Sequence, residues 1–104
     1  MVVIGVVKIV GKAGVDPADA IFGASQGIIQ GAAEVKIDLG VATLETIAAA
    51  KKVAAQTGLS EILAVSRATE GALQAAKAIG IDAFAQVQLA IEENHLANQP
   101  LQSL

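Results

Sequence analysis

The chain has 104 residues, room for one domain or one pair of long helices, and 54% of them are hydrophobic although Phe22 and Phe84 are its only aromatics. Ten glycines and 22 alanines make that apolar content small-side-chained, which rules out a disordered chain and departs from the usual small core built on large rings. Ten acids against seven bases, with no basic cluster beyond Lys51-Lys52, argue against a nucleic-acid partner, and the lack of cysteine excludes disulfides and thiolate chemistry.

In chain order, Met1-Val2-Val3-Ile4-Gly5-Val6-Val7 is an apolar run cut short by Lys8, with no basic n-region ahead of it to make a signal peptide; a cytoplasmic location is expected. Gly-Lys-Ala-Gly at 11–14 reads as a hinge. Asp16-Pro17 then reads as a helix start, with Asp16 as N-cap, Pro17 as the first helical residue and Asp19 complementing the helix dipole. Ile21, Ala24, Ile28, Gly31, Val35, Leu39, Ala42, Thr46, Ala49 and Val53 recur at steps of three and four. That stripe predicts one helix over 16–58, roughly 60 Å long at the standard rise. Gly58 is suited to the left-handed position just past its end.

Ser60 is a plausible second N-cap, and Ile62, Val65, Thr69, Ala72, Ala76, Ile79, Ala83, Val87 and Ala90 continue the same spacing. A second helix is expected over 60–99, with a weak point at 80–82 where Asp82 could cap a fresh helix, and Pro100 beyond its end. The longest stretch without a charge, residues 20–33, is 14 residues long, short of the ~20 apolar residues that cross a bilayer. No membrane span is expected.

The predicted fold class is therefore all-α: a single domain in which an apolar N-terminal segment (1–15) precedes two long helices forming an αα-hairpin. The alternative is an α/β domain with a small four-stranded sheet, its strands at 2–10, 34–41, 61–65 and 84–91. Val35-Lys36-Ile37-Asp38-Leu39 alternates as a half-buried strand should. Alanine abundance and unbroken helical spacing favour the helices.

Gly23, Gly27 and Gly31 fall at i, i+4 and i+8, on one helix face where a neighbouring helix can approach closely. Ala64, Ala68, Ala72, Ala76 and Gly80 form a second small-residue ladder. Either these are contacts inside one hairpin, or at least one ladder is a seam between copies. A two-helix hairpin would leave Ile29, Ile37, Leu44, Ile47, Leu63, Leu73 and Ile91 with no third element to cover them, a patch larger than monomers carry. That favours association of the chain with itself.

Glu92-x-x-His95 has the i, i+3 carboxylate–histidine spacing of di-iron helical proteins. One chain supplies that motif once, with Glu34 or Glu45 as candidate partners, so a complete site would need two chains. The simpler reading of His95 is a solvated surface residue, and no cofactor is expected. One histidine and no nucleophile-elbow pattern leave Ser25, Ser60, Ser66 and Ser103 without Ser–His chemistry. No Gly-rich loop has nucleotide-binding spacing.

Val15-Asp16-Pro17 stands just before Asp19-Ala20-Ile21, and Ala68-Thr69-Glu70-Gly71-Ala72 follows about fifty residues on. Across about two thirds of its length the chain resembles here the R-body structural proteins, which polymerise into coiled ribbons inside bacteria. It lacks a glutamine run, and the segment at 2–10 has no counterpart in that pattern. A second likeness, on Ile4-Gly5-Val6-Val7, Ala18-Asp19-Ala20-Ile21 and the stretch from Val65-Ser66-Arg67 to Ala76, is to bacterial microcompartment shell proteins; residues 38–56 are too long an insertion for that fold. Both resemblances imply a homopolymer. The expected function is a non-enzymatic, self-assembling structural protein, with the N-terminal segment adding a lateral contact. A two-chain metal enzyme and a small α/β binding domain are the alternatives.

Overall fold

The computed structural model describes residues 16–97, which form four helices and no strand. They are α1 (Pro17–Glu34), α2 (Leu39–Thr57), α3 (Glu61–Ile79) and α4 (Ile81–Ala97). The all-α expectation holds for these residues, whereas the two-helix hairpin does not. Each long helix is divided in two, and the pieces pack on one another. Of the four stretches that could be written as strands, 61–65 and 84–91 are helical, and 34–41 holds the end of one helix, a turn at 35–38 and the start of the next. The segment at 2–10 lies outside the described residues. Residues 65–76, where the shell-protein likeness implies a strand–helix turn, run within α3.

The start signals act as expected. The Asp16 carboxylate accepts from the Ala18 N–H at 2.9 Å, with Pro17 in the first turn, and Ser60 Oγ accepts from the Leu63 N–H at 3.4 Å. Gly58 ends α2 in the left-handed conformation (φ 76°), its N–H bonded to Ala54 O at 3.0 Å. At the second break Gly80, at φ 157° and ψ 177° in a region that suits glycine, carries the last bond of α3 and the first of α4. Its N–H reaches Ala76 O and its carbonyl accepts from the Phe84 N–H, each at 3.0 Å. Asp82 thus sits inside the first turn of α4 rather than capping it.

The first break falls inside the predicted 16–58 helix. Here Lys36 adopts φ 61°. The Ile37 N–H returns to Ala32 O at 2.8 Å and the Lys36 N–H to Ala33 O at 3.2 Å, the paired bonds of a Schellman ending. Two residues later the Asp38 carboxylate accepts from the Val41 N–H at 3.1 Å and opens α2. Lysine in a position that suits glycine carries steric strain of about 1–2 kcal/mol, partly offset because glycine loses more freedom on folding. Lys36→Gly is expected to raise stability by about 0.5–1 kcal/mol in denaturant unfolding. A lowered midpoint would contradict the left-handed ending.

α1 packs mainly on α3 and less on α2; α4 packs on α2 and α3 and does not meet α1. The molecule is flat, 18 Å along its shortest axis, about two helix layers. One half of the core gathers Ile21, Val53, Ala50 and Ala64; the other gathers Ile29, Leu39, Ala76 and Val87. Fourteen of the twenty buried apolar residues are alanines, so the helices lie close and little long side chain is available to absorb added volume. Three buried hydroxyls are satisfied within their own helices: Ser25 donates to Ile21 O, Thr43 to Leu39 O and Thr46 to Ala42 O. Because four helices enclose more than two, Ile29 and Ile47 are buried and Leu73 and Ile91 half-buried, whereas Ile37, Leu44 and Leu63 remain exposed.

Candidate self-association surface

The interior face of α1 is set by Ala18, Ile21, Ser25, Ile29 and Ala32. Gly23 and Gly27 follow Ile21 and Ser25 by two residues, a rotation of about 200° on a helix, which turns the glycine ladder away from the core. The geometry agrees: a Cβ placed on Gly23, Gly27 or Gly31 meets no atom within 4 Å. Gly23 and Gly27 are exposed and Gly31 half-buried. Among the described residues nothing uses their close-approach capacity.

Beside this face runs an open, mainly apolar groove of about 540 Å³ between α1 and the start of α2. Gly27, Ile28, Gly31, Val35, Ile37 and Glu45 are among its lining residues. Val35 and Ile37, in the turn that ends α1, are 65% and 53% exposed. They are exposed because Lys36 and Ile37 must close the Schellman ending, which carries the chain outward before Asp38 starts α2.

The alanine ladder takes the opposite place. Ala64, Ala68, Ala72 and Ala76 are at most 1% exposed, packed against α1, α2 and α4 of the same chain. Of the two ladders assigned to self-association, this one is occupied by contacts inside the chain. The close-approach residue of α3 is Gly71, which lies outside both small-residue ladders. A Cβ there would run into the backbone carbonyl oxygen of Phe22 and lie 3.0 Å from Ser25 Cβ. The signal was a glycine mid-helix, which is unfavourable by about 1 kcal/mol unless packing requires it. At the edge of this crossing Arg67 bridges Asp19 at 3.7 Å and Glu70 at 3.3 Å, both partners exposed.

Glu92 and His95 are exposed on α4. His95 lines a second groove, between α2, α3 and α4, together with Lys51 and Glu61. Glu34 ends α1, which does not touch α4, and Glu45 lines the other groove, so neither candidate partner joins them. Among the described residues no group of three or more histidines and carboxylates is placed to hold a metal ion. Ser25 is buried with its hydroxyl bonded to Ile21 O, Ser60 caps α3, and Ser66 donates to Glu70 at 3.4 Å.

The site and fold define a class no finer than a four-helix domain with one outward glycine face beside an apolar groove. Compared with protein-family models, curated proteins and solved structures, the chain matches none of them. Among the described residues no helix is long and apolar enough to cross a membrane.

Proposed function

We propose that this chain is a structural protein that assembles with copies of itself, and that the outward face of α1 with the adjoining groove forms the seam. The observation that carries the reading is the idle glycine ladder. Three helical glycines cost about 0.8–1.0 kcal/mol each relative to alanine, and no close approach among the described residues offsets them. A helix from a second copy laid against Gly23, Gly27 and Gly31 could approach closely and cover Val35 and Ile37 as well. The resemblances to R-body and microcompartment shell proteins point to the same class, a homopolymer, although by different folds. The buried alanine ladder takes no part.

Sedimentation velocity of the purified chain at micromolar concentration tests this, beside Gly27→Leu. The wild type is expected to sediment as oligomers or larger assemblies. The variant is expected to move toward the monomer with its helical circular dichroism unchanged, since the position is open. A wild type that stays monomeric, or a variant of unchanged size, would remove the seam.

A further inference from the structure

We propose that the second groove, between α2, α3 and α4, is a second self-contact, in which two copies meet groove to groove across a two-fold axis. The inference deepens the self-assembly reading and rests on it. A face that meets itself across a two-fold axis closes at two chains, so growth beyond a dimer needs a second face. The two grooves share no lining residue, so contact at one does not consume the other.

The groove is open, about 490 Å³, with Ile47, Val65 and Ile91 along it, buried or half-buried. Ile62 lines the same groove yet is 84% exposed, which places it at the mouth rather than on the floor. Leu96, 65% exposed, lies in an adjoining depression that shares Ile91 and His95 with the groove. Each copy therefore carries an apolar projection beside an apolar hollow. A two-fold axis seats the Ile62 of each in the groove of the other.

Charge selects a second copy as the occupant. The charged and titratable groups of the lining are Lys51 on α2, Glu61 on α3 and His95 on α4. Lys51 is half-buried, six residues before the end of α2, and Glu61 is the first residue of α3. Among the described residues none of these three side chains makes an ion pair or hydrogen bond; the ion pairs are those of Arg67 with Asp19 and Glu70. One base and one acid on different walls favour neither an acidic nor a basic partner as a whole. A two-fold axis matches both: Lys51 meets the partner subunit's Glu61, and Glu61 meets the partner subunit's Lys51. In the adjoining depression His95 stands with Glu92, an acid and a base of the same kind.

Charge reversal and mixing test this in the full-length chain, read by sedimentation velocity. Lys51→Glu sets acid against acid twice across the axis, and Glu61→Lys sets base against base. Each is expected to weaken the contact at least about tenfold and to halt assembly at the α1 dimer. Mixed in equal amounts, one variant offers only acids and the other only bases, so assembly is expected to return to wild-type size. A variant that had merely lost its fold would gain nothing from mixing. Gly27→Leu, which blocks the α1 seam, is expected to stop at a groove-to-groove dimer, and its combination with Lys51→Glu at the monomer. Assemblies that respond to Gly27→Leu but keep their size in Lys51→Glu overturn the second contact and leave the seam standing; the groove is then covered within the chain or by another partner. Weakening by both reversals without recovery on mixing overturns it as well.

Discussion

Gly71→Ala is expected to destabilise the fold by about 2 kcal/mol, although the same change on an isolated helix stabilises by about 1 kcal/mol. The sign reverses because α1 and α3 cross at this residue. The added methyl would meet the Phe22 carbonyl oxygen, a backbone atom fixed within α1, and crowd Ser25 Cβ at 3.0 Å. Ser25 cannot swing aside freely, since it is buried and its hydroxyl is bonded to Ile21 O at 2.8 Å. Overpacking costs about 1–3 kcal/mol where side chains can yield, and this alanine-dominated core has few long ones to yield. The two helices must therefore separate, loosening their contacts along Ile21, Ala64 and Ala68. A loss of that size lowers the melting temperature by roughly 8–16 °C in a domain near 100 residues. Denaturant titration at low protein concentration measures it, and a raised midpoint would mean that the helices do not meet at Gly71.

What the sequence disclosed and what it concealed follow from the same residues. Asp16, Ser60 and Gly58 were legible because capping chemistry is local: a side-chain acceptor beside free N–H groups, or a glycine where φ turns positive. The division at 80–82 was legible as a weak point, although its cap was misplaced: Asp82 lies within the first turn of α4, and the chain turns at Gly80. The turn at 35–38 was hidden because Val35 and Leu39 are four apart, so the apolar stripe keeps its phase across the break. The residue that turns positive there is Lys36, which carries no glycine signature. Two hints were present: Asp38 in N-cap position before Leu39, and the strand-like alternation of residues 35–39, the mark of a stretch that is not helical.

The outward direction of the glycine ladder was illegible for a different reason. Ile21, Ser25 and Ile29 also step by four, only two residues out of phase, and periodicity alone does not say which of two such faces is inside. The inward direction of the alanine ladder depended on long-range packing: α2 and α4, once separate helices, supply the surfaces that enclose Ala64 to Ala76.

The triple substitution Gly23→Ala, Gly27→Ala, Gly31→Ala is expected to stabilise the single chain by about 2–3 kcal/mol, each site contributing about 0.8–1.0 kcal/mol of helix propensity. Among the described residues no methyl meets a neighbouring atom within 4 Å, so the overpacking that reverses the sign at Gly71 is absent here. The same three methyls would hold a partner helix away from α1 and lower the order of assembly. Each readout tests a different step: denaturant unfolding at submicromolar concentration reports the fold, and sedimentation at higher concentration reports association. If stability falls, the glycine face is not open to solvent in the monomer. If stability rises while assembly is unchanged, the face is open but idle, and the exposed Val35 and Ile37 need another partner. Only a chain that becomes more stable alone and less associated has kept these glycines for contact with its own kind, because a more stable alternative stood one methyl away at each position.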